Sequence, residues 1–179
     1  YFMSPRQIIM GIGVEEPVAS YTLNYVYEGS MEWKWGHQIK TGSLDLLHCL
    51  PLPERHPQNN LSLKPHETRK WTLHLGVVDR LAGVKEKLSQ WIQAPMIECE
   101  KYTMAGHETS RLLIHSQSGL EKLIVKAPDG TQSVLPVDGV ADNVYSALFS
   151  PSSQKGLYRI TATAINGKTA EASIYIRNP

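Results

Sequence analysis

Residues 159–176 carry the pattern that most constrains this chain. Arg159-Ile160-Thr161-Ala162-Thr163-Ala164-Ile165 alternates with period two, Glu171-Ala172-Ser173-Ile174-Tyr175-Ile176 does the same, and Asn166-Gly167 lies between them. Successive side chains of a strand point to opposite faces, so this alternation predicts one buried and one wet face on each strand. Asn-Gly supplies the positive-φ residues that a tight hairpin turn requires. An isolated hairpin is only marginally stable in water, so the pattern demands further strands to cover its apolar face.

Those strands are legible upstream. Segments 97–104, 110–117, 121–127, 132–136 and 143–149 read as short strands, ahead of 156–164 and 169–177. Turn chemistry separates them, as at Pro128-Asp129-Gly130-Thr131. Strands at intervals near ten residues predict a β-sandwich over 96–179. Before Pro95 the period changes. Leu81, Val84, Leu88 and Trp91 or Ile92 fall at spacings of three and four, which predicts a helix over 79–93 with Asp79 as N-cap.

The first half reads as antiparallel sheet. Strands are expected at 7–14, 20–28, 31–35 and 43–50, then a short strand from Leu61, a turn at Pro65 and a strand through Trp71, Leu73, Leu75 and Val77. The last four share one face, and Thr72, His74 and Gly76 share the other. Residues 51–60 hold three prolines and two asparagines and read as an irregular loop. The expected fold class is therefore all-β, with an antiparallel sheet domain over 1–78, a linking α-helix over 79–95 and an immunoglobulin-like β-sandwich over 96–179. Each half is small for an independent core, so the two are expected to share an interface through Trp91 and Ile92.

Composition excludes several function classes. Of 179 residues, 18 are basic and 17 acidic, a formal net charge of +1 with no basic stripe, which makes nucleic acid a poor partner. No apolar run reaches the roughly 18–20 residues of a membrane span. The start, Tyr1-Phe2-Met3-Ser4, reads as an internal beginning and not as a leader. Cys49 lies in a Leu-rich run and Cys99 in an expected strand, and they are read as two separate buried thiols.

Gly156-Leu157-Tyr158-Arg159-Ile160-Thr161 followed by Asn166-Gly167 resembles the last hairpin of bacterial immunoglobulin-like domains. The resemblance implies that Tyr158 packs at a corner with its hydroxyl bonded to nearby backbone. The Cys-Trp-Cys pattern of antibody domains is absent, which excludes disulfide-stapled variants. Leu61-Ser62-Leu63-Lys64-Pro65-His66-Glu67 leading into Trp71 is similar to the closing strands of galactose-mutarotase-like β-supersandwiches, found in sugar epimerases and as modules of polysaccharide-processing enzymes. That resemblance transfers no active-site residue to any position here.

Candidate sites follow from residue chemistry. Met31-Glu32-Trp33-Lys34-Trp35 puts Trp33 and Trp35 on one strand face, where two indoles suit the apolar face of a pyranose and Tyr25 or Tyr27 extends the platform. Aromatic side chains also dominate cores, so packing into the sheet is the weightier reading of both indoles. His48 and His74 are a second pair, able to meet across paired strands with Glu54 or His56 nearby. Scattered surface histidines are the plainer account. No His pair has i,i+4 metal-site spacing and no cysteine pairs complete a zinc box, so neither metal nor cofactor is expected. Gly11-Ile12-Gly13 lacks the third glycine of a dinucleotide loop, no nucleophile elbow appears, and the spacing of Asp45, Glu54 and Glu67 selects no catalytic carboxylate pair.

The sequence thus points to a non-catalytic accessory module pair of a larger extracytoplasmic carbohydrate-processing protein, with carbohydrate and adjoining catalytic or structural domains as partners. Two other readings stay open: a stand-alone carbohydrate-binding protein using Trp33 and Trp35, and a hydrolase with a histidine site near the 51–60 loop.

Overall fold

The structure, a computed structural model, describes residues 1–3, 6–25, 39–47, 60–152 and 154–177. In chain order the elements are β1 (Phe2–Met3), β2 (Ile9–Val14), β3 (Ser20–Tyr25), β4 (Ile39–Asp45), β5 (Leu73–Val78), a 3₁₀ turn (Leu81–Gly83) and α1 (Val84–Ile92). Then come β6 (Met96–Cys99), β7 (Thr103–Ala105), β8 (Ser110–His115), β9 (Leu120–Lys126), β10 (Gln132–Val134), β11 (Gly139–Ala141), β12 (Val144–Phe149), β13 (Gly156–Ala164) and β14 (Thr169–Arg177). The all-β class holds, with α1 as the sole α-helix among the described residues. Its contacts divide into two compact units, Tyr1–Glu15 with Leu73–Pro179, and Glu16–Thr72.

In the first unit a five-stranded sheet, ordered β10-β9-β13-β14-β7, faces a four-stranded sheet, ordered β11-β12-β8-β6. Leu112, Ile114, Ala147 and Phe149 from the smaller sheet meet Leu123, Ile160, Ala162, Ile174 and Ile176 from the larger in one buried cluster. This is a β-sandwich, and period-two burial produces it. β13 and β14 pair antiparallel from Gly156↔Ile176 to Thr163↔Thr169, and Tyr158, Ile160, Ala162 and Ala164 are all buried. The turn is longer than the two-residue Asn-Gly turn expected: Gly167 takes φ +81 but Asn166 does not have positive φ, the Gly167 N–H donates to Ala164 O at 2.8 Å, and the Ala164 N–H donates to Lys168 O at 2.9 Å.

Two local features close the sandwich. Tyr158 is buried, stacks edge-on against Phe149 at 5.4 Å, and brings its hydroxyl to 3.2 Å from Ser152 O and 3.1 Å from Gln154 O. That satisfies a phenol that would otherwise be desolvated without a partner. The strand expected over 97–104 breaks into β6 and β7, because the chain crosses from one sheet to the other, and β7 adds parallel to β14. Gly139-Val140-Ala141 form β11, a short, largely exposed edge strand with too few residues to show a period.

The helix starts later than expected. Asp79 makes no cap; a 3₁₀ turn precedes α1, and Gly83 occupies the N-cap without a side-chain bond. Its C-terminus is fastened instead. Gln93 adopts the left-handed conformation at φ 52, Asn166 Nδ2–H donates to Gln93 O at 2.7 Å, and the Lys168 ammonium donates to Ile92 O at 2.6 Å. The hairpin turn of the sandwich thus satisfies the last carbonyls of the helix, where a cation is also favoured by the helix dipole.

A three-stranded sheet, ordered β1-β2-β5, packs on the same helix. Its register sets Ile9 opposite Val78, Gly11 opposite Gly76 and Gly13 opposite His74. A Cβ at Gly11 would lie 2.9 Å from Trp91, one at Gly13 2.6 Å from Ile92, and one at Gly76 2.7 Å from Trp91. Trp91 and Ile92 therefore sit against bare backbone.

The second unit contains the antiparallel pair β3-β4, in register from Ser20↔Asp45 to Tyr25↔Ile39. Here the strand expected at 43–50 runs earlier and ends at Asp45. Residues 60–72 carry no strand; Leu61 to Lys64 is irregular and Trp71 precedes β5, because a turn at Lys64–Glu67 redirects the chain.

Candidate functional site

Two surfaces combine chemistry-bearing side chains. The first lies within Glu16–Thr72. The turn is held by Glu67, whose carboxylate accepts the Lys64 N–H at 2.9 Å while the Glu67 N–H donates to Lys64 O at 3.0 Å. Arg69, Lys70 and Trp71 follow with no regular secondary structure. Trp71 Nε1–H donates to Pro17 O at 3.1 Å, and Thr72 N–H donates to a Glu16 carboxylate oxygen at 2.7 Å. These two bonds tie residues 71–72 to residues 16–17 across more than fifty positions of sequence. The result is an open cleft of about 500 Å³ lined by Glu16, Pro17, Asn60, Leu61, Arg69, Lys70 and Trp71. It joins apolar walls to an indole whose polar edge is already bonded, with two cations and one carboxylate at its margin. Sugar pockets share this mixture, since a pyranose offers an apolar face and a rim of hydroxyls.

The second surface lies at the end of the β2–β5 ladder. His74 Nε2 is 2.7 Å from Glu15 Oε1, and Lys168 Nζ is 3.5 Å from Glu15 Oε2. Each of the three is about a third exposed. The hydrogen bond from His74, helped by the Lys168 ammonium, holds the Glu15 carboxyl below its usual range. With both carboxylate oxygens engaged and Lys168 also bonded to the helix end, this cluster staples β2, β5, α1 and the β13–β14 turn.

Of the residues singled out from sequence, His74 is thus placed, with Glu15 as its partner. His48, Glu54, His56, Trp33, Trp35 and Tyr27 lie outside the described residues. Tyr25 ends β3, opposite Ile39. Sequence reasoning missed the cleft because Trp71 was placed on a strand face. The available signal was the run Arg69-Lys70-Trp71, two cations beside an indole. It also missed Glu15. Among the described residues no group of three or more His, Cys, Asp or Glu is arranged to hold a metal. Cys99 is a free, buried thiol, pushed up to about 11 by desolvation.

A smaller cleft of about 330 Å³ opens on the sandwich edge among Leu120, Leu123, Val134, Val137, Val140 and Tyr145. Its lining is mostly apolar, and Glu121 and Lys122, 3.9 Å apart, are the charged side chains on it.

No protein-family model matches the chain, and no curated protein matches it in sequence. A solved structure described as a polysaccharide lyase shares its fold, with TM-score 0.57 and 19% identity over 96% of this chain. The matched region is 23% of that protein, so this chain spans about a quarter of its length. Among the described residues no helix is long and apolar enough to cross a membrane.

Proposed function

We propose that this chain is a non-catalytic β-module pair of a larger carbohydrate-processing protein that works outside the cytoplasm, and that it contacts the polysaccharide or braces the domain that does. The observation that carries this reading is the fold match, which runs over nearly the whole chain yet occupies only a quarter of a polysaccharide lyase. The Tyr158 corner supports an immunoglobulin-like assignment of the sandwich, a fold that hosts many roles and therefore gives no activity by itself. In this reading Trp33 and Trp35, with Tyr25 and Tyr27, contribute a sugar platform, and adjoining domains supply the chemistry.

The test is affinity electrophoresis of the 179-residue chain through gels containing a panel of polysaccharides, alongside assays for hydrolytic and eliminative cleavage. Retardation without cleavage is expected. Cleavage by the chain alone, lost in His74→Ala, overturns the non-catalytic reading. Migration unaffected by every polysaccharide removes carbohydrate contact from it.

A further inference from the structure

The cleft at Trp71 has two cations and one carboxylate in its lining. Arg69 and Lys70, both exposed and adjacent in sequence, belong to that lining, and neither forms an ion pair among the described residues. Glu16 lies on the same cleft, but one carboxylate oxygen is committed to the Thr72 N–H. The indole is fixed through Nε1–H to Pro17 O, so its ring needs no ordering when a ligand arrives. Leu61 and Pro17 complete the apolar wall. A neutral sugar makes no use of the two cations. A saccharide carrying one anionic group satisfies all parts at once. Its apolar face lies against Trp71, its anion meets Arg69 and Lys70 through charge-assisted hydrogen bonds, and a ring hydroxyl donates to the remaining oxygen of Glu16.

We infer that this cleft is a binding subsite for an anionic saccharide unit, with Trp71 as the platform, Arg69 and Lys70 as the anion contacts and Glu16 as a hydroxyl acceptor. The inference rests on the carbohydrate-contacting reading above and adds to it a place and a charge. The anion is a carboxylate or a sulfate, and both fit the same two cations.

Affinity electrophoresis and tryptophan-fluorescence titration of the whole chain test it. The probes are polygalacturonate and its methyl ester, which share a backbone and differ in charge, with dextran sulfate and dextran as the sulfate pair. The expected result is binding to polygalacturonate or dextran sulfate that weakens with salt, is reduced about tenfold in Arg69→Gln/Lys70→Gln, and is lost in Trp71→Ala. Whichever anionic probe binds identifies the anion. The double variant alters only exposed side chains, so it keeps the test valid if Trp71→Ala fails to fold. Equal binding of charged and neutral probes overturns the inference. So does anionic binding that survives the double variant but is lost in Trp33→Ala, which leaves the carbohydrate reading standing on a different surface. Binding of no polysaccharide overturns both.

Discussion

The closing hairpin and the β2–β5 ladder are both antiparallel, and their buried faces differ: the first is filled by apolar side chains, while the second combines Ile9 and Val78 with three glycines. In β13 and β14 the apolar side chains Tyr158, Ile160, Ala162, Ile174 and Ile176 point inward. In the ladder the inward face is Ile9, Gly11 and Gly13 against Val78, Gly76 and His74. The side chains that look like core face outward: Met10 is 42% exposed, Leu73 47%, Leu75 62% and Val77 59%. Alternation sets which residues share a face. It does not set which face is covered. A sheet covers β13–β14, and side chains fill the space of about 10 Å between facing sheets. The helix covers the ladder, and Trp91 and Ile92 fill that space from the helix side, leaving room only for glycine opposite. The same residue class is then core in one region and surface in the other.

The comparison predicts a graded set of outcomes. Ile160→Ala should cost about 2–5 kcal/mol in denaturant unfolding, since the side chain is fully buried between sheets. A cost below about 1 kcal/mol would show a loosely packed sandwich. Gly76→Ala should cost about 1–3 kcal/mol, because the new methyl meets Trp91. Gly76→Ala combined with Trp91→Leu should recover part of that loss, and failure to couple would place the cost elsewhere. Leu75→Thr should change stability by less than about 0.5 kcal/mol while raising solubility, although it removes a residue as apolar as Ile160. A loss comparable to that of Ile160→Ala would mean the outer face is covered.

The smallest effect is electrostatic. The folded-state pKa of Glu15 lies below its ordinary value of 4.5, as do those of Glu108, Asp129 and Asp138 relative to theirs. Carboxyls depressed in the folded state stabilise it above their unfolded pKa, and that contribution is lost as pH falls through the folded value. The melting temperature should therefore be level through neutral pH and decline below about pH 4.5. Glu15→Gln should flatten that decline slightly. A melting temperature that rises on acidification would contradict the sign.

Legibility tracked how local each determinant was. The hairpin bounds 156–164 and 169–177 were readable because propensity, period and turn chemistry agree there. The Tyr158 hydroxyl contacts followed from the Gly-x-Tyr resemblance. The helix was readable from its period but not at its start, because Asp79 has the right side chain for a cap and the chain enters through a 3₁₀ turn instead. The break between β6 and β7 was hidden, since a crossing between sheets leaves no mark on apolar alternation. The Trp71 cleft was hidden for the same reason: bonds from residues 71 and 72 to residues 16 and 17 create it, and neither segment shows them alone.

The amino-acid sequence by itself determined the all-β class, the strand parity of the second half and the presence of a helix ahead of Pro95, because each depends on residues within a few positions of one another. Only the tertiary structure decided that Leu73, Leu75 and Val77 face out, that Glu15 is the partner of His74, and that Arg69, Lys70 and Trp71 border a cleft. Burial and charge pairing depend on which distant segment arrives opposite a side chain. A local pattern records the spacing of side chains and not the identity of what they meet.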